Sequence, residues 1–237
     1  MTIHLARISL TRLLVLLLLW IPAAWAQQED QGQPGPHERG RHGNPRDLNA
    51  YLEILDSSER DKDQKPAQVV EALGLKPGMA VADLGSGSGY FTRRFVEAVT
   101  ETGKVYAVDV EQEMLTYAEQ SLVHMHIPYT AEFILARPDN PKLPTNSVDL
   151  IFVCNVYHHL ENRTTYFANT KSALKPGGRI AIVDFYHDDR SGDVGFSKKH
   201  LVSRETVLDE MIKAGYKLLR EHTFLPKQYF LEFVPTS

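Results

Sequence analysis

Cysteine is almost absent. Cys154 is the only one in 237 residues, which excludes a disulfide within the chain and any metal site built on several thiolates. Positive charge is also in short supply: 26 Lys and Arg stand against 30 Asp and Glu, a formal net charge of -4. A surface of that sign repels phosphate backbones, so nucleic acid is not an expected partner. Long apolar runs are missing too, since the longest stretch of large apolar residues, Leu13–Ile21, is short for a membrane span. What remains, 43% hydrophobic residues over this length, suits one α/β domain with a sizeable core.

Arg7 and Arg12 precede that apolar stretch, and Pro22 and Ala24-Trp25-Ala26 follow it. A basic start, a short apolar core and an A-x-A ending are the parts of a secretory signal peptide, which predicts residues 1–26 to be cleaved after Ala26 and the protein to be exported, periplasmic or secreted. An uncleaved segment would instead anchor the chain, and only then is membrane contact expected. Residues 27–46, rich in Gln, Gly, Pro and charge, read as a flexible linker. The folded domain is expected over 47–237.

That domain is organised around Val81-Ala82-Asp83-Leu84-Gly85-Ser86-Gly87-Ser88-Gly89-Tyr90-Phe91. Apolar residues run into an acid, three glycines alternate with serines, and Phe91, Phe95, Val96 and Val99 then recur at helical spacing: strand, tight turn, helix. Such a turn lets a nucleotide-sized ligand lie against the main chain at a helix N-terminus. Its spacing is not the G-x-G-x-x-G of a dinucleotide site, and Asp83 beside it suits a cationic ligand group better than a pyrophosphate. Lys104–Asp109 reads as a second strand, ending in an acid about twenty residues past the glycines, where a carboxylate accepts ribose hydroxyls. Capping of the helix that follows is a compatible role for Asp109. Further strands are expected at 130–135, 148–155, 179–185, 216–223 and 228–234, with a helix between most of them and Ser203 capping one whose Val207, Met211 and Ile212 point inward.

The acid followed by G-x-G-x-G resembles the first motif of the class I S-adenosylmethionine (SAM)-dependent methyltransferases. Three further stretches resemble that family: Leu143-Pro144-Thr145-Asn146-Ser147-Val148-Asp149-Leu150-Ile151, Leu174-Lys175-Pro176-Gly177-Gly178 before the fifth strand, and Arg60-Asp61-Lys62-Asp63-Gln64-Lys65-Pro66. The last is either a solvated charged turn or an N-terminal lid. The resemblance implies a doubly wound, Rossmann-like, mostly parallel seven-stranded sheet with an antiparallel C-terminal strand, and SAM as cofactor. It implies that Asp83 holds the methionine part, Gly85, Ser86, Gly87, Gly89 and Tyr90 lie along the ligand, Asp109 and Val110 meet the ribose, Asp139 meets the adenine, and Asn155 lies near the transferred methyl.

Methyl transfer needs an oriented acceptor and, for a hydroxyl, amine or thiol, a base. His158 and His159 follow the fourth strand at the point where the winding reverses, and either could accept the proton; Tyr157 could line the pocket. Alternatively the histidine pair ties down the next helix. Asp184 and His187 could add polar contacts, no metal is expected, and Cys154 reads as a core residue. The expected function is methyl transfer to a small-molecule oxygen, nitrogen or sulfur acceptor. An exported SAM-binding domain without turnover and a protein-L-isoaspartate-like carboxyl methyltransferase are the alternatives.

Overall fold

The computed structural model describes residues 47–125, 130–195 and 197–236; the expected signal peptide and linker lie outside the described residues. Three short helices come first. In α1 (Leu48–Leu55) the Asp47 side chain accepts the Ala50 N–H and so caps the first turn. The charged segment after it forms a helix of its own, α2 (Glu59–Gln64), where the sequence suggested a turn or lid. Pro66 opens α3 (Pro66–Leu73), and Gly74 closes it at φ 58°, the left-handed conformation that glycine adopts freely.

Seven strands follow: β1 (Ala80–Leu84), β2 (Lys104–Asp109), β3 (Ala131–Leu135), β4 (Val148–Cys154), β5 (Leu174–Phe185), β6 (Tyr216–His222) and β7 (Gln228–Pro235). Their order in the sheet is β3-β2-β1-β4-β5-β7-β6, and only β7 runs antiparallel to its neighbours. The chain starts in the middle, winds outward to β3, and returns to β4 on the other side of β1. A crevice opens at the carboxyl ends where that reversal occurs.

Both faces of the sheet are covered, which explains why its strands are apolar at nearly every position. Leu150, Phe152 and Cys154 pack with α3 and α4 (Tyr90–Val99). The alternate residues Ile151 and Val153 pack with α6 (Arg163–Thr170) and α7 (Arg204–Lys213). Phe152 is fully buried between the edges of Phe91 and Phe95; truncating such a ring costs about 3–5 kcal/mol. The remaining helix, α5 (Gln112–His124), joins β2 to β3.

Two local expectations are corrected. Leu174–Gly178 belongs to β5 rather than to a separate turn, because Leu174 already pairs with Val148 and the ladder resumes at Arg179↔Leu150 after an irregular excursion. Ile212 is 61% exposed rather than inward; α7 needs only Val207, Met211 and the following Ala214 to cover its part of the sheet. Asp149, from the family-like stretch, works at the end of the strands opposite to the crevice. There it accepts the Ala80 N–H at 2.7 Å and the Lys175 ammonium at 2.8 Å, which fixes the starts of β1, β4 and β5 together.

Candidate cofactor and acceptor site

A cavity of about 500 Å³ occupies the crevice, within the range of about 300–1,000 Å³ usual for small-molecule sites. Its floor is the glycine turn. Gly85 has φ 75°, and a Cβ there would lie 2.2 Å from Val156 Cγ2, so the turn requires glycine twice over. The Gly85 and Ser86 N–H groups donate to the Val108 carbonyl at 2.7 and 3.0 Å, which ties the turn to the end of β2. There the Asp109 carboxylate accepts the Gly87 N–H at 2.9 Å with one oxygen and the Glu111 N–H at 3.0 Å with the other. Burial pushes the Asp109 pKa up against these hydrogen bonds. Asp109 thus caps the approach to α5 and faces the cavity as well; the two roles coexist. Val108, Ala136 and Pro138 add apolar lining to the cavity.

The opposite wall carries the titratable groups. The Asp184 carboxylate, at the end of β5, accepts the His158 N–H at 3.2 Å and the His158 ring at Nδ1, 2.8 Å away. A carboxylate can only accept, so Nδ1 carries a proton. Both side chains are buried. The His159 ring lies 4.1 Å from that of His158 and is open to the cavity. Surrounding protein, then His158 and His200, push its pKa down to about 4, while Asp184 pulls the other way. At neutral pH His159 is therefore an uncharged imidazole able to accept a proton.

The helix α2 borders the cavity rather than forming a solvated turn. Arg60 reaches the cavity wall, and the Tyr90 hydroxyl donates to Asp61. Gln64 is buried in a closed ring of three amides. It donates to Gln228 at 2.8 Å, Gln228 donates to Asn155 at 2.6 Å, and Asn155 donates back to Gln64 at 3.5 Å. Asn155 holds φ 57°, a conformation that asparagine tolerates better than most residues.

Of the expected site residues, Gly85, Ser86, Gly87, Asp109, Val110, Asn155, His158 and His159 line this cavity. The others do not. Asp83 is buried and accepts the Thr92 hydroxyl at 2.6 Å. Gly89, at φ 79°, starts α4 where it packs against Ala118. The Tyr90 ring is held between the Arg60 and Arg94 guanidiniums. Asp139 is exposed and paired with Arg137, so the cavity is lined by Ala136, Arg137 and Pro138 in its place. Tyr157 is 0% exposed. A 3-10 turn over Tyr157–His159 sends its ring into the core, stacked on Phe167, with its hydroxyl donating to Glu210 at 2.6 Å. His187 is not among the lining residues either, and Asp184 is spent on His158.

Residues that sequence reasoning did not assign to the site also reach it: Tyr51 and Leu55 from α1, Met114, Glu161, Tyr166 and His200. Tyr51 and Leu55 were visible only as an apolar helical stripe, and His200 only as the end of a polar loop, 186–200, expected to close the substrate pocket. Among the described residues, no group of three or more His, Cys, Asp or Glu side chains could hold a metal ion.

The cavity fits a nucleoside bearing an amino acid. Ser86 lines it, and the Ser86 hydroxyl is buried without a partner among the described residues, which a polar ligand would satisfy. Asp109 stands ready for a ribose and the apolar lining for a flat base. When bound there, SAM supplies an activated methyl group; Asp109, Ser86 and the turn would hold it.

Comparison with known proteins agrees with that geometry. Residues 82–182 match the model of a methyltransferase domain. Over 116 residues the chain is 30% identical to the ubiquinone/menaquinone biosynthesis C-methyltransferase UbiE of Shewanella pealeana, covering 49% of this chain and 46% of that one. The UbiE of Escherichia coli O1:K1 is 28% identical over the same shares. The chain spans about half the length of the curated relatives it matches. A SAM-dependent methyltransferase from Aquifex aeolicus has a similar solved structure, with TM-score 0.74 and 28% identity over 80% of this chain and 99% of that one. Motifs, topology, cavity and relatives agree: residues 82–182 match a methyltransferase domain, and the chain is similar in sequence and fold to SAM-dependent methyltransferases.

Proposed function

We propose that the protein transfers the methyl group of SAM to a small-molecule acceptor, with His159 as the proton acceptor. The observation that carries this reading is that Asp109 and a neutral, cavity-facing His159 line one and the same crevice. His158, locked to Asp184, keeps a second imidazole against the His159 ring and acts as a positioning residue. Glu161 and Tyr166 make this wall partly polar, which supports an acceptor presenting oxygen, nitrogen or sulfur. The UbiE relatives are C-methyltransferases by name, so an activated ring carbon is the second candidate. In either case the chemistry left to the protein is to orient the acceptor and take its proton.

Incubation with SAM carrying a labelled methyl, followed by separation of products, tests the proposal. Label in a small molecule supports it, and NMR of the product reports the atom methylated. Cofactor binding with no labelled product from any acceptor would favour a binding domain, and label in aspartyl-damaged protein would favour carboxyl repair. With a neutral base, the rate is expected to stay flat above about pH 6 and to fall as His159 is protonated. We also propose that residues 1–26 direct export and are removed; a mature protein that still starts at Met1 would overturn that part alone.

A further inference from the structure

Arg60 is a cation on the cavity wall without an anion. Among the described residues no carboxylate forms an ion pair with it, and its partners are neutral. Nε donates to Gln64 Oε1 at 2.9 Å, Nη1 donates to the Leu55 carbonyl at 2.8 Å, and the guanidinium lies 4.0 Å from the centre of the Tyr90 ring. The ring of amides holds Gln64 in turn, so Arg60 is fixed before any ligand arrives. Half-burying a guanidinium with no carboxylate in direct contact is unfavourable, and an arriving anion relieves it.

The position of that charge is also defined. Gln64, which accepts from Arg60, itself donates to Cys154 Sγ at the end of β4 at 3.2 Å, and the Arg60 charge pulls the Asp83 pKa down against the larger upward push of burial. Asp109, by contrast, owes its shift to burial and backbone hydrogen bonds. The cavity therefore has a ribose-accepting carboxylate toward β2 and a lone cation toward β1 and β4. A diphosphate would meet Arg60 but also the carboxylates of Asp109 and Glu161 that line the same cavity. A ligand with one anionic group at one end meets Arg60 alone.

Resting on the reading of the cavity as a SAM site, we propose that Arg60 binds the α-carboxylate of the cofactor's methionine part and so selects an amino-acid-bearing nucleoside. The contact is a charge-assisted hydrogen bond from a preorganised fork. Because Arg60 sits on α2, the same contact ties that helix to the cofactor.

Calorimetry on the full chain tests this with two ligands that differ only in the carboxylate: S-adenosylhomocysteine and its decarboxylated counterpart, S-adenosyl-3-thiopropylamine. Arg60→Gln is expected to weaken S-adenosylhomocysteine by about 10- to 100-fold and to leave the decarboxylated ligand within about twofold. Arg60→Lys, which keeps the charge, is expected to recover part of the loss. Equal weakening of both ligands by Arg60→Gln would mean that Arg60 only supports the wall, and unchanged binding of S-adenosylhomocysteine would remove it from the site; either result overturns the proposal. Failure of the unaltered protein to bind either ligand would overturn the SAM reading itself, whereas equal affinity for the two would overturn only the carboxylate contact.

Discussion

The two walls of the cavity are built by different means. Toward β2 the cavity is lined by main chain, the glycine turn, and by Asp109, which one N–H of that turn and the Glu111 N–H hold in place. Toward β4 and β5 the cavity is lined by side chains gathered from far apart in sequence: Arg60 on α2, Asn155 after β4, His159 and His200. Backbone geometry allows few sequences, while a wall of side chains can be exchanged piece by piece. One wall is thus suited to a constant ligand and the other to a changing one.

The sharpest test of that division is His159→Ala. It is expected to lower methyl transfer about 1,000-fold while SAM affinity, measured by calorimetry, stays within about twofold. Loss of both together would break the comparison. Next in size is Gly85→Ala, which combines a left-handed backbone with a clash against Val156; urea unfolding should show a loss of about 3 kcal/mol. Adding Val156→Ala should return the part due to the clash and leave the part due to φ.

Asp109→Ala should be the mirror image of the His159 change. SAM binding weakens by about 1–3 kcal/mol, and the rate at saturating cofactor falls little. Smallest is Asp83→Asn. Burial raises the Asp83 pKa to about 6, against the Thr92 hydrogen bond and the Arg60 charge. Between its ordinary value and about 6 the folded state binds more protons than the unfolded one, so stability falls as pH rises through that window. Asparagine still accepts the Thr92 hydroxyl and removes the charge, so it should stabilise the fold by on the order of 2 kcal/mol above the window and not at pH 4. Thermal unfolding at the two pH values measures the difference.

How much was legible in the sequence follows the same division. The strands, the glycine turn and Asp109 could be read because each depends on neighbours in sequence: alternation, spacing, and an acid at a strand end. Tyr157 could not. It follows β4 as an accessible residue would, yet one 3-10 turn rotates its ring onto Phe167. Asp139 was misjudged because Arg137, two residues earlier, claims its carboxylate. Arg60 lay inside a recognised stretch, but its place on the cavity wall depends on Tyr90 and Gln64, which sequence spacing does not bring together. His200 reaches the wall through a loop with no periodicity.

The closed ring of Gln64, Gln228 and Asn155 has a consequence for how α2 is held under different solution conditions. The inner seam that joins the amino-terminal helices to the last strand is made of uncharged amides, which neither titrate nor attract counter-ions. The outer pair Asp63–Lys227, at 2.6 Å, is half exposed and screened by salt. Rising ionic strength therefore loosens the rim of this seam and leaves its centre in register, so Arg60 keeps its aim in dilute buffer and brine alike.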